Sequence, residues 1–184
     1  MKILFCGVII LSLIALPHCS EERQQAPSQG SSWILDRDGV HIEASVPPGE
    51  TSSIGSYLLS ITFPDGSIQR IPQKRDGVIS RLWLDDLGGD GLLDLIVWTT
   101  SAGSGSYGSV MIFQRRGGEF ILQQPARLTA EQTSGYMGHD TYEVVDGQLY
   151  RRFPLYRAED VNARPTGGQA KLRYSVAENS WYLD

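Results

Sequence analysis

Turn signals recur along this chain at intervals too short for long helices. Asp38-Gly39, Pro47-Pro48-Gly49, Pro64-Asp65-Gly66, Asp76-Gly77, Gly117-Gly118, Asp146-Gly147 and Glu178-Asn179 punctuate the sequence. Each suits a tight reversal between strands. The segments between them carry strand patterns. Val40, Ile42, Ala44 and Val46 alternate with polar residues, which marks a half-buried strand. Leu92 to Thr99 is almost continuously apolar and reads as a central strand. The alternation falters near Ile79, which suggests an irregularity. With 20 glycines and 9 prolines, the composition favours many short strands. The expected fold is all-β, an antiparallel β-sandwich or flattened barrel of about 8–10 short strands. One short helical turn or two is expected near 125–134, where Pro125 starts the segment and Gly135 ends it.

The N-terminus reads as a signal peptide over residues 1–19. Lys2 supplies the positive start, and Ile3 to Leu16 is apolar but short of the ~20 residues that span a bilayer. Leu16-Pro17-His18-Cys19 resembles a lipobox, although His18 stands where a small residue is expected. Lipid attachment at Cys19 and ordinary cleavage nearby both stay open. The expected location is the periplasm, either soluble or anchored to the envelope by lipid. Cys6 lies in the leader, so the mature chain keeps at most Cys19 and has no intramolecular disulfide. Residues 20–32 are polar and read as a flexible linker. Residues 33–184 read as a single β domain.

The whole chain carries 16 Lys+Arg and 21 Asp+Glu, a net charge of −5. Lys2 is the only one of these in the leader, so the mature chain has 15 against 21, or −6. That charge disfavours a nucleic-acid partner, which wants a basic face, and suits a basic protein.

The stretch Ser101-Ala102-Gly103-Ser104-Gly105-Ser106-Tyr107-Gly108 joins two apolar runs. Glycines allow positive φ and close backbone approach, serines offer hydroxyls, and tyrosine offers a rigid amphipathic contact. Such a loop suits recognition. Gly103-x-Gly105-x-x-Gly108 matches the bare dinucleotide pattern, but Ser109 to Phe113 reads as strand where the fingerprint needs a helix. A serine nucleophile elbow is also absent: Ala102 lies two before Ser104, and Ser104 two before Ser106. Neither His41 nor His139, with Asp140 to orient it, is tied to Ser104 by spacing. No enzyme and no cofactor are expected.

Asp86, Asp90 and Asp94 around Gly91 echo a calcium loop. Gly88 occupies a usual ligand position and the closing glutamate is missing. A tight turn whose aspartates cap backbone N–H groups is the favoured reading. A calcium-dependent adhesion or carbohydrate-binding module is the alternative function. In Gly135-Tyr136-Met137-Gly138-His139-Asp140, His139 and Asp140 either hold a turn or Tyr136 and His139 support the face that carries the loop. Arg151, Arg152 and Arg164 read as a solvated face, with anion binding as the other reading.

These motifs together resemble the family of bacterial periplasmic inhibitors of invertebrate-type lysozyme. The resemblance runs from about Leu82 to Tyr174. It rests on Asp-Leu-x-Gly-Asp-Gly at 86–91, the loop at 101–108, Gly-Tyr-Met-Gly-His-Asp at 135–140, Phe-Pro-Leu-Tyr at 153–156 and Asn-x-x-Pro-Thr-Gly-Gly at 162–168. The loop is also similar to the Ser-Gly-x-x-Tyr element of inhibitors of vertebrate-type lysozyme, with one residue fewer. The resemblance implies that the partner is a lysozyme, of invertebrate type, and that the loop enters its cleft. The resemblance implies that Ser104, Tyr107, Gly103, Gly105, Ser106 and Gly108 bind the lysozyme: Ser104 and Tyr107 match the family's contact residues, and the glycines let the backbone fit a slot made for a sugar chain. A glycosidase cleft holds two carboxyl groups, which a hydroxyl can bond and an acidic key would repel. The resemblance carries no metal over to Asp86, Asp90 and Asp94. The oligomeric state stays open, a homodimer included.

Overall fold

The computed structural model describes residues 23–25, 32–51 and 53–184. The expected signal peptide, Cys19 and most of the expected linker lie outside the described residues. Among the described residues there are thirteen strands: β1 (Arg23–Gln25), β2 (Ser32–Arg37), β3 (Val40–Ser45), β4 (Ile54–Thr62), β5 (Ile68–Asp76), β6 (Val78–Asp85), β7 (Asp94–Thr100), β8 (Gly108–Arg116), β9 (Glu119–Gln123), β10 (Thr141–Val145), β11 (Gln148–Pro154), β12 (Gln169–Ser175) and β13 (Ser180–Leu183). They exceed the expected number. One of the additional strands, β1, falls inside the segment read as a linker and pairs with β2.

The strands form three antiparallel meanders, β1 to β5, β6 to β9 and β10 to β13, each in chain order. The middle meander separates two cores. On one side Leu82, Leu84, Leu95, Val97 and Phe113 pack against Leu35, Ile42, Tyr57, Leu59 and Ile61. On the other Trp83, Ile96, Val110 and Ile112 pack against Tyr142, Leu149, Phe153, Leu172 and Trp181. Successive residues of a strand face opposite ways. Leu95 and Val97 therefore serve the first core while Ile96 serves the second, and β7 is apolar on both faces. Its flanking partners are β6 and β8. The sandwich expected from the turn spacing is present, built in three layers and without a closed barrel.

Local chemistry explains the corners. Asp38-Gly39, Gly117-Gly118 and Asp146-Gly147 all have positive φ at both residues. That is the type I′ geometry that matches strand twist in a two-residue hairpin. Asp76-Gly77 does something else: β5 belongs to the first sheet, beside β4, and β6 to the second, beside β7, so the chain crosses from one sheet to the next. Gly77 has φ +95°, and a Cβ there would lie 1.9 Å from the Thr100 carbonyl oxygen. In β6 the register shifts between Ile79 and Arg81, where the alternation falters, so Ser80 is a bulge.

The expected helix near 125–134 is corrected. The segment holds turns, with one i→i+4 bond from Thr133 N–H to the Thr129 carbonyl at 3.0 Å. Gln132 is recruited outward, donating from its side-chain amide to the Trp181 carbonyl at 2.6 Å, and the turn is not continued.

Candidate functional site

The loop begins where the β7–β8 ladder ends, at the pair Thr100 and Gly108. Two further bonds close its neck. Ser101 N–H donates to the Tyr107 carbonyl at 2.8 Å, and Tyr107 N–H donates to Ser101 Oγ at 2.9 Å. At the apex Ser106 N–H donates to the Gly103 carbonyl at 2.9 Å, so Ser104 and Gly105 are the two corner residues of a β-turn. Ser106 carries φ +43°, a left-handed conformation uncommon for serine. The expectation that Gly103, Gly105 and Gly108 supply positive φ is corrected, because none of them has it. Gly105 and Gly108 serve close packing instead. A Cβ on Gly108 would lie 2.7 Å from Asp140 Cβ, and one on Gly105 would lie 2.5 Å from the Tyr107 ring. Gly103 has nothing within 4 Å of its Cβ position.

Ser104 is exposed, and Tyr107 is 50% exposed. The Tyr107 ring meets the Tyr136 ring edge-on, with centroids 5.6 Å apart. Tyr136 in turn packs edge-on against Phe153 at 4.6 Å. The third sheet thus forms a floor under the loop.

Asp140 ties this floor to the neck. Its side chain is fully buried, and its carboxylate accepts three bonds. The donors are Gly108 N–H at 2.8 Å, Tyr136 O–H at 2.5 Å and Arg151 Nε–H at 2.7 Å. Arg151 also donates to the Tyr136 oxygen at 3.0 Å. Tyr142 O–H donates to the Gly108 carbonyl at 3.1 Å, so both backbone groups of Gly108 are held by β10 and the turn before it. Burial, with the adjacent Asp140 carboxylate, pushes the Tyr136 phenol above its ordinary range, so it stays a neutral donor. Burial alone disfavours the Arg151 charge, yet Tyr142, Asp140 and Tyr136 around it raise its pKa overall.

The turn at 135–140 is therefore a clasp for the loop. His139 and Asp140 hold it through separate partners. His139 N–H donates to the Gly105 carbonyl at 2.6 Å, and its Nε2 lies 3.1 Å from Asn162 Oδ1. Gly138 is needed at this contact, since a Cβ would fall 2.1 Å from the Gly105 oxygen.

The reading of Arg151 as part of a solvated face is corrected. It lies between the buried Leu149 and Phe153 on the inward face of β11, whereas Arg152 points out and pairs with Glu143. The signal was in the sequence: apolar residues two before and two after Arg151 place it inward. Asp140 and Asn162 as loop anchors carried no comparable signal.

The aspartates of the 86–94 loop cap backbone groups. Asp86 accepts from Asp90 N–H at 3.1 Å and Gly91 N–H at 2.8 Å, and Asp90 accepts from Leu92 N–H at 2.9 Å. Asp94 lies apart as a buried residue at the start of β7, accepting from Arg115 N–H at 3.3 Å. Among the described residues no cluster of three or more His, Cys, Asp or Glu is disposed to hold a metal ion.

Comparison with known proteins gives these geometries a family. The family model for periplasmic lysozyme inhibitors of I-type lysozyme matches residues 34–132, which include the whole loop. A crystal structure of the Aeromonas hydrophila periplasmic inhibitor of I-type lysozyme is 32% identical, over 56% of this chain and 84% of that one, with a TM-score of 0.42. The same inhibitor in complex with Meretrix lusoria lysozyme is 34% identical, over 50% and 85%, with a TM-score of 0.39. A Xanthomonas type IV secretion system related protein is 14% identical over 89% and 97%, with a TM-score of 0.40. No curated protein matches the chain. The family match covers more than half of the sequence, and the chain belongs to the family of periplasmic inhibitors of I-type lysozyme.

Proposed function

We propose that this inhibitor blocks peptidoglycan hydrolysis by seating the Ser101–Gly108 loop in the lysozyme active-site cleft, with Ser104 and Tyr107 as its principal contacts. The protein is an inhibitor and not an enzyme, periplasmic, with lysozyme as its partner. The solved complex of the related Aeromonas hydrophila inhibitor with Meretrix lusoria lysozyme supports a direct protein–protein mechanism.

The observation that carries the loop assignment is the state of its two side chains. Ser104 stands exposed at a turn corner, and its hydroxyl has no hydrogen bond to any described residue. Tyr107 is half-exposed with its ring edge-packed on Tyr136, and its hydroxyl likewise has no described partner. Two hydroxyls are thus presented on a backbone already held in place. A glycosidase cleft offers them carboxylates, and hydrogen bonds to charged groups are among the stronger ones. Most of the entropy cost of ordering such a loop is met before binding, which favours affinity.

The test is lysis of peptidoglycan by purified I-type lysozyme with wild-type inhibitor and with the Ser104→Ala/Tyr107→Ala variant. The reading expects the variant to fold and to lose inhibition by at least about a hundredfold, the loss of two good contacts. Wild-type potency in the double variant is the result against it.

A further inference from the structure

The apex of the loop is held from outside the strands that carry it. Its two corner carbonyls each accept one bond from the region after β9. Asn162 Nδ2 donates to the Ser104 carbonyl at 3.2 Å, and His139 N–H donates to the Gly105 carbonyl at 2.6 Å. Asn162 comes from the connection between β11 and β12, 58 residues along the chain from Ser104.

That connection is itself well built. Asp160 accepts from Arg157 N–H at 2.8 Å and Thr166 N–H at 2.7 Å, which closes the base of its tip. Tyr156 O–H donates to the Asn162 main-chain carbonyl at 2.9 Å. The side-chain oxygen of Asn162 lies 3.1 Å from His139 Nε2.

The donor and acceptor roles follow from chemistry. A carbonyl oxygen only accepts, so the Asn162 group facing Ser104 is its NH₂, and its oxygen is left for His139. His139 Nε2 therefore carries a proton.

We propose that Asn162, braced by His139, is a positioning residue that holds the Ser104 corner in its binding shape before lysozyme arrives. The inference rests on the loop-in-cleft reading and adds a residue outside the loop. An unbraced apex loses this order and must regain it on binding, which costs affinity through faster dissociation.

The experiment uses the full inhibitor with I-type lysozyme. Asn162→Ala is expected to raise the inhibition constant about five- to tenfold, as loss of one ordering hydrogen bond does. The melting temperature should stay within about 2 °C, because the side chain is exposed. In the free protein, ¹⁵N relaxation should show increased motion at the Ser104, Gly105 and Ser106 amides. In a Ser104→Ala background the same substitution should change inhibition less than twofold, because the group being positioned is gone. Unaltered relaxation or unchanged inhibition in Asn162→Ala overturns the brace, as does an effect that multiplies fully with Ser104→Ala. If Ser104→Ala/Tyr107→Ala inhibits like the wild type, the loop reading itself fails and the brace falls with it.

Discussion

Asp140→Asn is the most informative single change in the floor beneath the loop. The substitution keeps size and shape and alters only charge and donor pattern. The buried carboxylate accepts from Gly108 N–H, Tyr136 O–H and Arg151 Nε–H. An amide can accept on one side only. If its oxygen faces Arg151, its NH₂ meets the Gly108 N–H; turned round, its NH₂ meets the Arg151 guanidinium. A buried donor is left against a donor in both cases, and Arg151 loses its counter-charge. Breaking one side of a buried ion pair costs about 3–5 kcal/mol. For a domain of this size each kcal/mol moves the melting temperature by roughly 2–4 °C, so the fall should be roughly 6–20 °C. The loop neck loses its hold at Gly108, and reordering even one residue costs about 1–2 kcal/mol, on the order of a tenfold loss of inhibition. Calorimetry and the lysis assay at 25 °C read the two effects. Asp146→Asn is the control: the same chemical change at an exposed hairpin residue with φ 51°, where asparagine is equally suited, should shift stability by less than about 0.5 kcal/mol. A melting temperature for Asp140→Asn within 2 °C of the wild type would refute the clasp.

Three further outcomes follow from the same geometry. Asp94 has its pKa raised to about 6, chiefly by burial, against 3.8 for the free group. A raised acid keeps its proton in the fold while the unfolded chain loses it, so this residue makes stability fall as pH rises from about 4 to 6. Asp94→Asn should match the wild type near pH 4 and exceed it by up to about 3 kcal/mol at pH 7; a difference that does not grow with pH in denaturant melts would contradict this. Gly138→Ala places a Cβ 2.1 Å from the Gly105 oxygen at φ +94°, so it should displace the loop and weaken inhibition at least about tenfold, while backbone NMR shifts change at Gly105. Gly103→Ala meets nothing within 4 Å, so its melting curve should be unchanged. Any loss of inhibition in that variant reports a constraint from the lysozyme cleft and none from the fold.

The β architecture was legible because turn chemistry is local. Asp38-Gly39, Gly117-Gly118 and Asp146-Gly147 need only their own φ values to make a hairpin. Asp76-Gly77 bears the same letters but crosses between sheets, and its cause, the Thr100 carbonyl against Gly77, lies on another strand. The run through Leu95, Ile96 and Val97 announced a strand covered on both faces. It did not say what covers it, because pairing partners come from distant segments, and so the third layer was not foreseen. The recognition loop stood out by composition, flanked by apolar strands. Its anchors did not. Asp140 and Asn162 lie 32 and 58 residues from their loop-side partners, and nothing in the spacing of polar residues records such a contact, while the apolar neighbours of Arg151 place it inward without naming Asp140 as its partner. Gly105 and Gly108 were found in the right place for a different reason, since they let Tyr107, Asp140 and Tyr142 pack closely rather than bend the loop, and Gly103 has open space where a Cβ would stand.

The central claim is that the loop occupies the place of the sugar chain. Steady-state inhibition of I-type lysozyme on a soluble N-acetylglucosamine oligomer tests it most directly. Competition for the cleft predicts an apparent KM that rises in proportion to inhibitor while kcat stays constant, with Ser104→Ala/Tyr107→Ala shifting only the inhibition constant. A kcat that falls at unchanged KM would mean that inhibitor and oligomer bind lysozyme together, and the loop would not be in the cleft.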